Sequence, residues 1–329
     1  MKVNPLRRLE AEISARVLGN IKPRIAISFS GGRTSAVMTK GVLEEKAHTH
    51  TVIVTFANTG QEHPATLDFI KECDDRFGFN TVWLEAVVDY EKGKGVRHKV
   101  VNYKTASRDG RPFRDCIAKY GIPNMGSPQC TTRLKENVMD SYIRSLGWKK
   151  GSFKTCIGIR ADEESRVSIR AEEAGFIYPL VDKGYTKEKV IAEVRSWGFD
   201  LTIPEHLGNC TWCWKKSYRK LLTVAKNNPE FLDFPARMEK EFGRFKVTPA
   251  TASPDGRRLF FRKHLDTSAL LEAAKQPFEE FTDKHHIPYD ERFDFGVGCG
   301  ESCEVGSDER YGVEMPDEEE DFNESDFWG

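Results

Sequence analysis

Apolar, β-branched runs alternate with amphipathic segments between residues 24 and 87, and this alternation limits the fold more than any other feature of the chain. The runs RIAISF (24–29), TVIVTF (51–56) and TVWLEAV (81–87) predict buried strands. The segments at 34–45 and 63–77 carry apolar residues three and four apart, which predicts helices. Strands that alternate with helices favour an α/β fold in which helices cover both faces of a parallel sheet.

The rest of the chain divides into three further parts. Residues 88–128 are basic, contain several glycines and prolines and have weak periodicity, which indicates an insertion or a mobile segment. Beyond it the pattern predicts one more strand, at 154–160, and three helical stretches, at 132–148, 186–199 and 216–246. We therefore predict a nucleotide-binding unit over 1–205, a mainly helical extension with cysteines over 206–315, and an acidic disordered tail over 316–329.

Composition excludes some classes of protein. The net charge is −1, from 50 basic and 51 acidic side chains, which gives no general attraction for nucleic acids or membranes. The basic N-terminus lacks the apolar stretch of a signal peptide, and no apolar run approaches the roughly 18–20 residues that span a bilayer. We expect a cytoplasmic protein with no membrane partner. Its eight cysteines then indicate a metal, cluster or redox role, or buried thiols, rather than a disulfide framework.

The glycine-rich sequence SFSGGRTS (28–35) stands between the first predicted strand and the first predicted helix. Such a turn presents backbone N–H groups and the positive end of a helix to an anion. The glycines let the backbone approach closely, and the hydroxyls add donors. The loop is not a Walker A motif, because G-x-x-x-x-G-K-[ST] is missing. The residues predicted to hold the anion are Ser28, Ser30, Gly31, Gly32, Arg33, Thr34 and Ser35, with a solvent-facing side chain as the alternative for Arg33.

Three further blocks follow this loop in order: FANTGQEHPATLDF (56–69), GIRADEESR (158–166) and YPLVDKGYTKEKV (178–190). Together with the loop they resemble the PP-loop ATP pyrophosphatases, and most of all the phosphoadenylylsulfate (PAPS) reductase family with its phage- and plasmid-borne relatives. The resemblance covers roughly residues 24–222. It implies a doubly wound α/β sheet of the PP-loop, HUP-like kind, with ATP or PAPS bound at the carboxyl ends of the strands.

The resemblance also implies roles for individual residues. Asn58, Thr59 and Gly60 would lie over the nucleotide, with Glu62 as a cap or polar contact. Arg160 and Arg166 would make bidentate contacts with an anionic group and act as catalytic residues. In members that cleave ATP, the carboxylates of this block could hold Mg²⁺, although they also suit a solvated helix start. Gly158 and Asp162 would also contact the nucleotide, and the carboxylates of this block are Asp162, Glu163 and Glu164.

The cysteines include a C-x-x-C pair, Cys210 and Cys213, which can bring two thiolates to one metal or cluster. Cys130 begins CTTRLK, which is similar to the block where cluster-bearing relatives carry cysteine, and it precedes Cys210 by 80 residues. A [4Fe–4S] cluster is the expected cofactor, with zinc and no metal as alternatives. For the fourth ligand we choose Cys303. Cys116 is the less favoured candidate for that position, whereas Cys73 and Cys156 fit helix and strand patterns as buried thiols.

Two reactions fit such a loop, and sequence alone leaves both open. In sulfonucleotide reduction a thiolate attacks the sulfur of the sulfate group; Cys299 is the candidate, although the ECG-[IL]-H string of the reductases is missing. In the other reaction ATP adenylylates an acceptor and pyrophosphate leaves, after which sulfur displaces AMP. An electron or sulfur donor protein and a nucleic-acid acceptor are the implied partners. The basic run KKSYRK (215–220) could meet a nucleic-acid backbone, or be a solvated helix face.

An alternative comes from another class of protein. The chain could be a regulator that senses a nucleotide or binds nucleic acid, and that uses its cysteines for a structural zinc or cluster site.

Overall fold

The computed structural model describes residues 22–283 and Arg292, and in this part of the chain six strands form one sheet. The order across the sheet is β4-β3-β2-β1-β5-β6, and all neighbours are parallel except the antiparallel pair β3–β4. The chain moves outward from β1 to β3 and then returns to the other side of β1, which confirms the doubly wound α/β fold. The strands are β1 (Arg24–Ser28), β2 (Thr51–Asn58), β3 (Val82–Val88), β4 (Val96–Val101), β5 (Lys154–Cys156) and β6 (Phe176–Ile177).

Helices connect and cover the strands. The second helix, α2 (Pro64–Phe77), shows how local sequence sets the two ends of a helix. His63 Nδ1 accepts the backbone N–H of Ala65, Pro64 occupies the first helical position, and Gly78 ends the helix at φ +65°. No helix among the described residues is long and apolar enough to cross a membrane. The helices are α1 (Arg33–Lys46), α2 (Pro64–Phe77), α3 (Arg111–Tyr120), α4 (Asn137–Ser145), α5 (Ala171–Ala174), α6 (Pro179–Asp182), α7 (Lys187–Arg195), α8 (Tyr218–Asn227), α9 (Asp233–Phe242) and α10 (Thr267–Ala273).

The segment 88–128 differs from its prediction as an insertion or mobile stretch, because it contains β4 and α3. Its periodicity is weak because β4 is an edge strand with exposed polar positions and α3 has only 10 residues. Two predicted helices also differ in detail. The helix expected at 132–148 opens with a π-helical turn, Thr132–Glu136, and the stretch 216–246 forms two helices. Pro229 follows the first of these two, where a residue without an N–H cannot continue the helix.

The two largest hydrophobic clusters of the described residues pack on opposite faces of β3. Neighbouring residues of β3 point to opposite faces, so that Trp83 joins the first cluster and Leu84 the second. The second cluster combines α3 and α4 with side chains from the C-terminal region, including Trp212 and Phe260. Side chains from 212–274 therefore pack in the same cluster as Leu84 and Ala86 of β3, and Cys210 packs against this cluster.

The basic run KKSYRK is buried, which corrects both sequence expectations for it. Its four cationic side chains are only 2–9% exposed, so this run is neither a solvated face nor a surface for nucleic acid. Their ammonium and guanidinium groups find internal partners instead. Lys216 Nζ donates to the carbonyl oxygens of Gly208 (2.6 Å) and Cys210 (3.1 Å), and the four buried cations are Lys215, Lys216, Arg219 and Lys220.

Glu205 ties the turn before Cys210 to two helices. Its carboxylate accepts from Lys187 Nζ at the start of α7 (2.6 Å) and from Lys220 Nζ of α8 (2.5 Å). Burial alone would raise the pKa of Glu205, but the charges and hydrogen bonds of Lys220 and Lys187 outweigh it and lower the pKa from 4.5 to about 2. The ionised carboxylate therefore stabilises the fold.

This ion-pair contribution predicts a pH dependence of stability. Because the pKa is lowered on folding, the stabilisation is complete above pH about 4.5 and is lost as the pH falls towards 2. We expect Glu205→Gln to lower the Tm at pH 7 by roughly 4–8 °C, from a loss on the order of 2 kcal/mol. Circular dichroism melts should show this difference from the wild type shrinking between pH 5 and pH 2.

The exposed carboxylate of Glu272, which pairs with Lys275, provides the matched control. Glu272→Gln should leave the Tm almost unchanged at every pH, because exposed ion pairs contribute little. A Glu205→Gln deficit that stays constant from pH 7 to pH 2 would contradict this account.

Candidate functional site

The loop between β1 and α1 is shaped by backbone packing at the carboxyl edge of the sheet. Gly31 has φ +82°, and a Cβ there would lie 2.8 Å from both Ile70 Cδ1 and Thr66 Cγ2 of α2. Only glycine fits this position. Gly32 is the N-cap of α1 and supplies no side-chain cap, so the positive end of the helix begins inside the loop.

Hydroxyl groups fix the rest of the loop. Ser30 Oγ and Ser35 Oγ are hydrogen-bonded at 2.8 Å, and the backbone N–H of Ser30 also donates to Ser35 Oγ (3.2 Å). Gly158, which follows β5, packs on the same loop: a Cβ there would lie 3.0 Å from Ser35 Cα. Ser28 is buried at the end of β1. The loop is therefore held in one shape before any anion binds.

Arg160 joins the loop to the block that follows β5. Arg160 as a whole is only 7% exposed, and its guanidinium donates to Thr34 Oγ1 (3.3 Å) and to both carboxylate oxygens of Asp162 (3.0 and 3.2 Å). Glu163 lies between Arg160 and Arg166, with an N–O distance of 2.5 Å to the latter. Asp162 and Glu163 thus pair with arginines, so this acidic block is an ion-pair network.

The end of β2 brings the predicted residues 58–62 to the same edge. Asn58 is buried, and its Oδ1 accepts the backbone N–H of Gly60 (3.2 Å). Glu62 accepts the backbone N–H and the hydroxyl of Thr59, at 3.0 and 2.8 Å. These contacts hold the turn after β2 beside the loop.

Glu85 is a site residue that the sequence analysis missed. It lies on β3 and is 4% exposed; its carboxylate accepts from Asn58 Nδ2 (2.7 Å) and from the backbone N–H (2.5 Å) and hydroxyl (3.2 Å) of Ser107. It therefore positions Asn58 and fastens the segment before α3 over the edge of the sheet. A charged residue inside the apolar run TVWLEAV is the signal that could have revealed it.

Arg33, by contrast, is engaged within the protein. Its Nε and Nη2 donate to the carboxylate of Asp200 at 2.6 and 3.3 Å, and Nη2 also reaches the carbonyl oxygen of Leu201. The side chain thus ties the start of α1 to the segment after α7. Contact of Arg33 with a bound anion stays a prediction.

Three of the four cysteines predicted to bind metal come together. Cys130, Cys210 and Cys213 line one pocket of about 20 Å³, together with Thr59 and Trp212. This is the space of about one water molecule, so anything larger bound there must spread the surrounding side chains. No group of three or more His, Cys, Asp or Glu side chains within the described ranges is placed to hold a metal ion.

The pocket touches the end of β2. Thr59 Oγ1 lies 3.5 Å from Cys210 Sγ, and the backbones of Glu62 and Cys210 form an isolated antiparallel bridge. Burial raises the pKa of the Cys210 thiol, and the charge of Glu62 adds to this effect. Cys299, Cys303 and the acidic tail 316–329 lie outside the described residues.

A doubly wound sheet with a glycine-rich loop between its first strand and first helix, at the carboxyl edge, is the architecture of a nucleotide-binding class of protein. Residues 24–171 match the sequence profile of the family described as "Phosphoadenosine phosphosulfate reductase domain". The chain is also 31% identical over 287 residues to the "Uncharacterized nin region protein ORF290" of Escherichia phage lambda, with 85% of this chain and 94% of that protein covered. The chain therefore belongs to the phosphoadenosine phosphosulfate reductase domain family, and it has a phage relative along most of its length.

A solved structure, PAPS reductase from Candida auris in a phosphate complex, matches more loosely. The match has a TM-score of 0.32 and 15% identity, and it covers 57% of this chain and 78% of that one. The fold assignment given above rests on the strand order itself.

The loop geometry predicts a steric effect at Gly31. Gly31→Ala introduces both backbone strain and a contact with α2, whereas Gly78→Ala introduces strain alone, because its φ is +65° and nothing lies within 4 Å of the new Cβ. We expect Gly31→Ala to lower the Tm clearly more than Gly78→Ala, and to weaken ATP binding in calorimetry at least about tenfold. Equal losses of stability in the two variants would show that α2 does not constrain the loop.

The contacts of Glu85 predict that its removal weakens ATP binding and that glutamine at the same position restores the binding. Glu85→Ala leaves the buried donors of Asn58 and Ser107 unsatisfied, at about 1–3 kcal/mol each, so ATP affinity should fall at least about tenfold. Glu85→Gln keeps an oxygen for Asn58 Nδ2 and the Ser107 N–H, and its amide can donate to the Ser107 hydroxyl. Calorimetry should therefore place Gln within about threefold of the wild type. A glutamine variant as weak as the alanine variant would contradict the positioning role.

Proposed function

We propose that this protein is an enzyme that binds an adenine nucleotide, ATP or PAPS, and carries out chemistry at sulfur. The observation that carries the proposal is the buried Arg160 guanidinium on Thr34 of the glycine-rich loop. It places a guanidinium, which Asp162 and Glu163 also hold, beside the helix N-terminus at the edge where open α/β sheets bind ligands. Membership of the PAPS reductase domain family also supports an enzyme that binds an adenine nucleotide.

In this proposal the loop binds the anionic end of the nucleotide. The backbone N–H groups at the start of α1 and the hydroxyls of Ser30, Thr34 and Ser35 surround a phosphate, pyrophosphate or sulfate group. Arg160, with Arg166 behind Glu163, stabilises the negative charge that develops there. The turn Asn58–Gly60 covers the nucleoside, at the position to which Glu85 holds it.

Two reactions use these residues, and they differ in the bond that breaks. In PAPS reduction a thiolate, for which Cys299 is the candidate, attacks the sulfate sulfur; the bond from sulfur to the bridging phosphate oxygen breaks, and the nucleotide leaves. A dithiol protein then supplies two electrons and releases sulfite. In the ATP reaction an acceptor oxygen attacks the α-phosphorus and pyrophosphate leaves, after which a sulfur nucleophile displaces AMP. Mg²⁺ would enter with ATP, near Asp162.

The cysteine pocket is proposed as the site of a [4Fe–4S] cluster, with zinc as the alternative metal. Its ligands would include Cys130, Cys210 and Cys213, which are soft thiol donors. When bound, a cluster would supply electron-transfer capacity beside the nucleotide. The contact between Thr59 and Cys210 supports a role close to the anion. We further propose that the enzyme acts in the cytoplasm, with a protein donor of electrons or sulfur and a small-molecule or nucleic-acid acceptor.

The test is a parallel assay on protein purified without oxygen. One set of reactions contains PAPS and a dithiol protein, with sulfite as the product measured. The other contains ATP, Mg²⁺, sulfide and bulk RNA or DNA, with pyrophosphate as the product measured. We expect one of the two products, and a loss of at least about 100-fold with Arg160→Ala, because a buried charge on the reacting anion is removed.

The control is Arg111→Ala, since Arg111 is exposed and pairs only locally with Asp109; it should keep full activity. Thr34→Val, which keeps the volume of the side chain, provides a second variant should Arg160→Ala unfold. Nucleotide binding without either product would overturn the enzyme and favour the nucleotide-sensing regulator.

A further inference from the structure

The segment from the end of β3 to the end of α3 concentrates positive charge in a chain that is nearly neutral. Residues 89–120 carry nine Lys and Arg against four Asp and Glu, whereas the whole chain has a net charge of −1. The fold buries the basic run at 215–220 but leaves much of this segment on the surface. The basic strip, as it is called here, consists of four exposed cations of this segment: Lys92, Arg97, Lys99 and Arg108.

The basic strip lies beside the residues that shape the proposed nucleotide site. In the antiparallel pairing of β3 and β4, Lys99 stands opposite Glu85, and Arg97 lies on the same face two residues earlier. Arg108 directly follows Ser107, whose backbone N–H and hydroxyl both donate to the Glu85 carboxylate. Because β4 is antiparallel to β3, it begins at the carboxyl edge of the sheet. The strip therefore runs along β4 towards the edge that carries the glycine-rich loop.

Most of the charge of the strip is not neutralised within the protein. Among the described residues, no carboxylate forms an ion pair with Lys92, Lys99 or Arg108. The guanidinium of Arg108 donates only to backbone carbonyl oxygens, and Arg97 has a single carboxylate partner, Asp89, at 3.6 Å. Exposed cations without partners favour the binding of a polyanion, because its condensed counterions are released when they meet.

The spacing of the strip and a neighbouring aromatic ring fit a single-stranded nucleic acid. Arg97 and Lys99 are two residues apart on one strand, which separates their Cα atoms by about 7 Å. Successive phosphates of an extended nucleic-acid strand have a similar spacing. Tyr90 lies in the hairpin between β3 and β4 and is 60% exposed. Unpaired bases stack on such rings, whereas the bases of a duplex are already stacked on one another.

We propose that the basic strip and Tyr90 bind single-stranded nucleic acid, and that this strand is the acceptor in the ATP reaction. The inference rests on the proposed function and decides between its small-molecule and nucleic-acid acceptors. The phosphates of the strand contact the strip, and a base stacks on Tyr90. An oxygen of the bound strand then attacks the α-phosphorus of ATP; the bond from this phosphorus to the bridging oxygen breaks, and pyrophosphate leaves.

The binding test measures the fluorescence anisotropy of labelled RNA and DNA single strands, and of a duplex, with the full-length protein. Strands of about 20 nucleotides cover the length that one such surface contacts. The wild type should bind RNA or DNA single strands at least about tenfold more tightly than the duplex. Between about 50 and 200 mM salt, log Kd should rise with log salt with a slope of about 2–3, as three or four phosphate contacts require.

Charge reversal at the strip provides the variant, and charge reversal at the opposite edge of the sheet provides its control. Lys92→Glu with Lys99→Glu should weaken single-strand binding at least about tenfold. Lys149→Glu with Lys150→Glu makes the same change in charge on exposed residues before β5, at the amino edge, and should stay within about twofold. Tyr90→Ala should weaken binding about fivefold or more, whereas Tyr90→Phe keeps the stacking ring. ATP affinity in calorimetry should stay unchanged in all of them.

The pyrophosphate assay tests the acceptor role. With ATP and the strand that binds, Lys92→Glu with Lys99→Glu should raise the KM for nucleic acid and leave kcat unchanged. Equal weakening of binding by the two double variants would overturn the inference. Competition by polyglutamate as strong as that by RNA would also overturn it, because the partner would then be an acidic protein. Product formation without strand binding would contradict this inference alone, whereas strand binding without either product would contradict the proposed function.

Discussion

The close backbone contacts around the loop at 28–35 are the constraint on which the rest of the site depends. A Cβ at Gly31 would lie 2.8 Å from α2, and a Cβ at Gly158 would lie 3.0 Å from Ser35. The loop therefore sits between α2 on one side and the chain after β5 on the other. Because both neighbours approach to van der Waals contact, Arg160 can reach Thr34 from a block that is more than 120 residues away in sequence. Backbone packing thus brings the loop and Arg160 together.

The sequence pattern correctly predicted the strands and helices that lie in the interior of the fold. β1, β2 and β3 are continuous apolar runs and α1 and α2 are periodic, so their patterns do not depend on what covers them. β4 and α3 were missed because tertiary contacts decide their structure. Ser107 is fixed by Glu85, and a Cβ on Gly60 would meet the backbone of Gly110 at 2.9 Å. No local pattern in a basic stretch rich in glycine and proline records such contacts.

The sequence shows where the charged residues stand along the chain, but it does not show the groups with which they pair. Arg33 stands in the glycine-rich loop, yet its guanidinium pairs with Asp200, 167 residues away. The run KKSYRK has the composition of a surface, yet the fold buries its cations between the cysteine turn, Glu205 and the sheet. A run of charge indicates exposure only when no other element covers it. Here the C-terminal region folds back over the sheet and covers this run.

The same folding back joins the cysteines to the turn after β2, at the edge of the sheet where we propose that the nucleotide binds. Glu62 pairs with the backbone of Cys210, and its carboxylate holds Thr59, whose hydroxyl lies 3.5 Å from the Cys210 thiol. A ligand that moves Thr59 must therefore alter the surroundings of Cys210, and a cluster that moves Cys210 must alter the turn after β2. Such shared contacts give two sites a coupling free energy, which acts equally in both directions. Under the proposed function, this one turn therefore carries the coupling between the two sites.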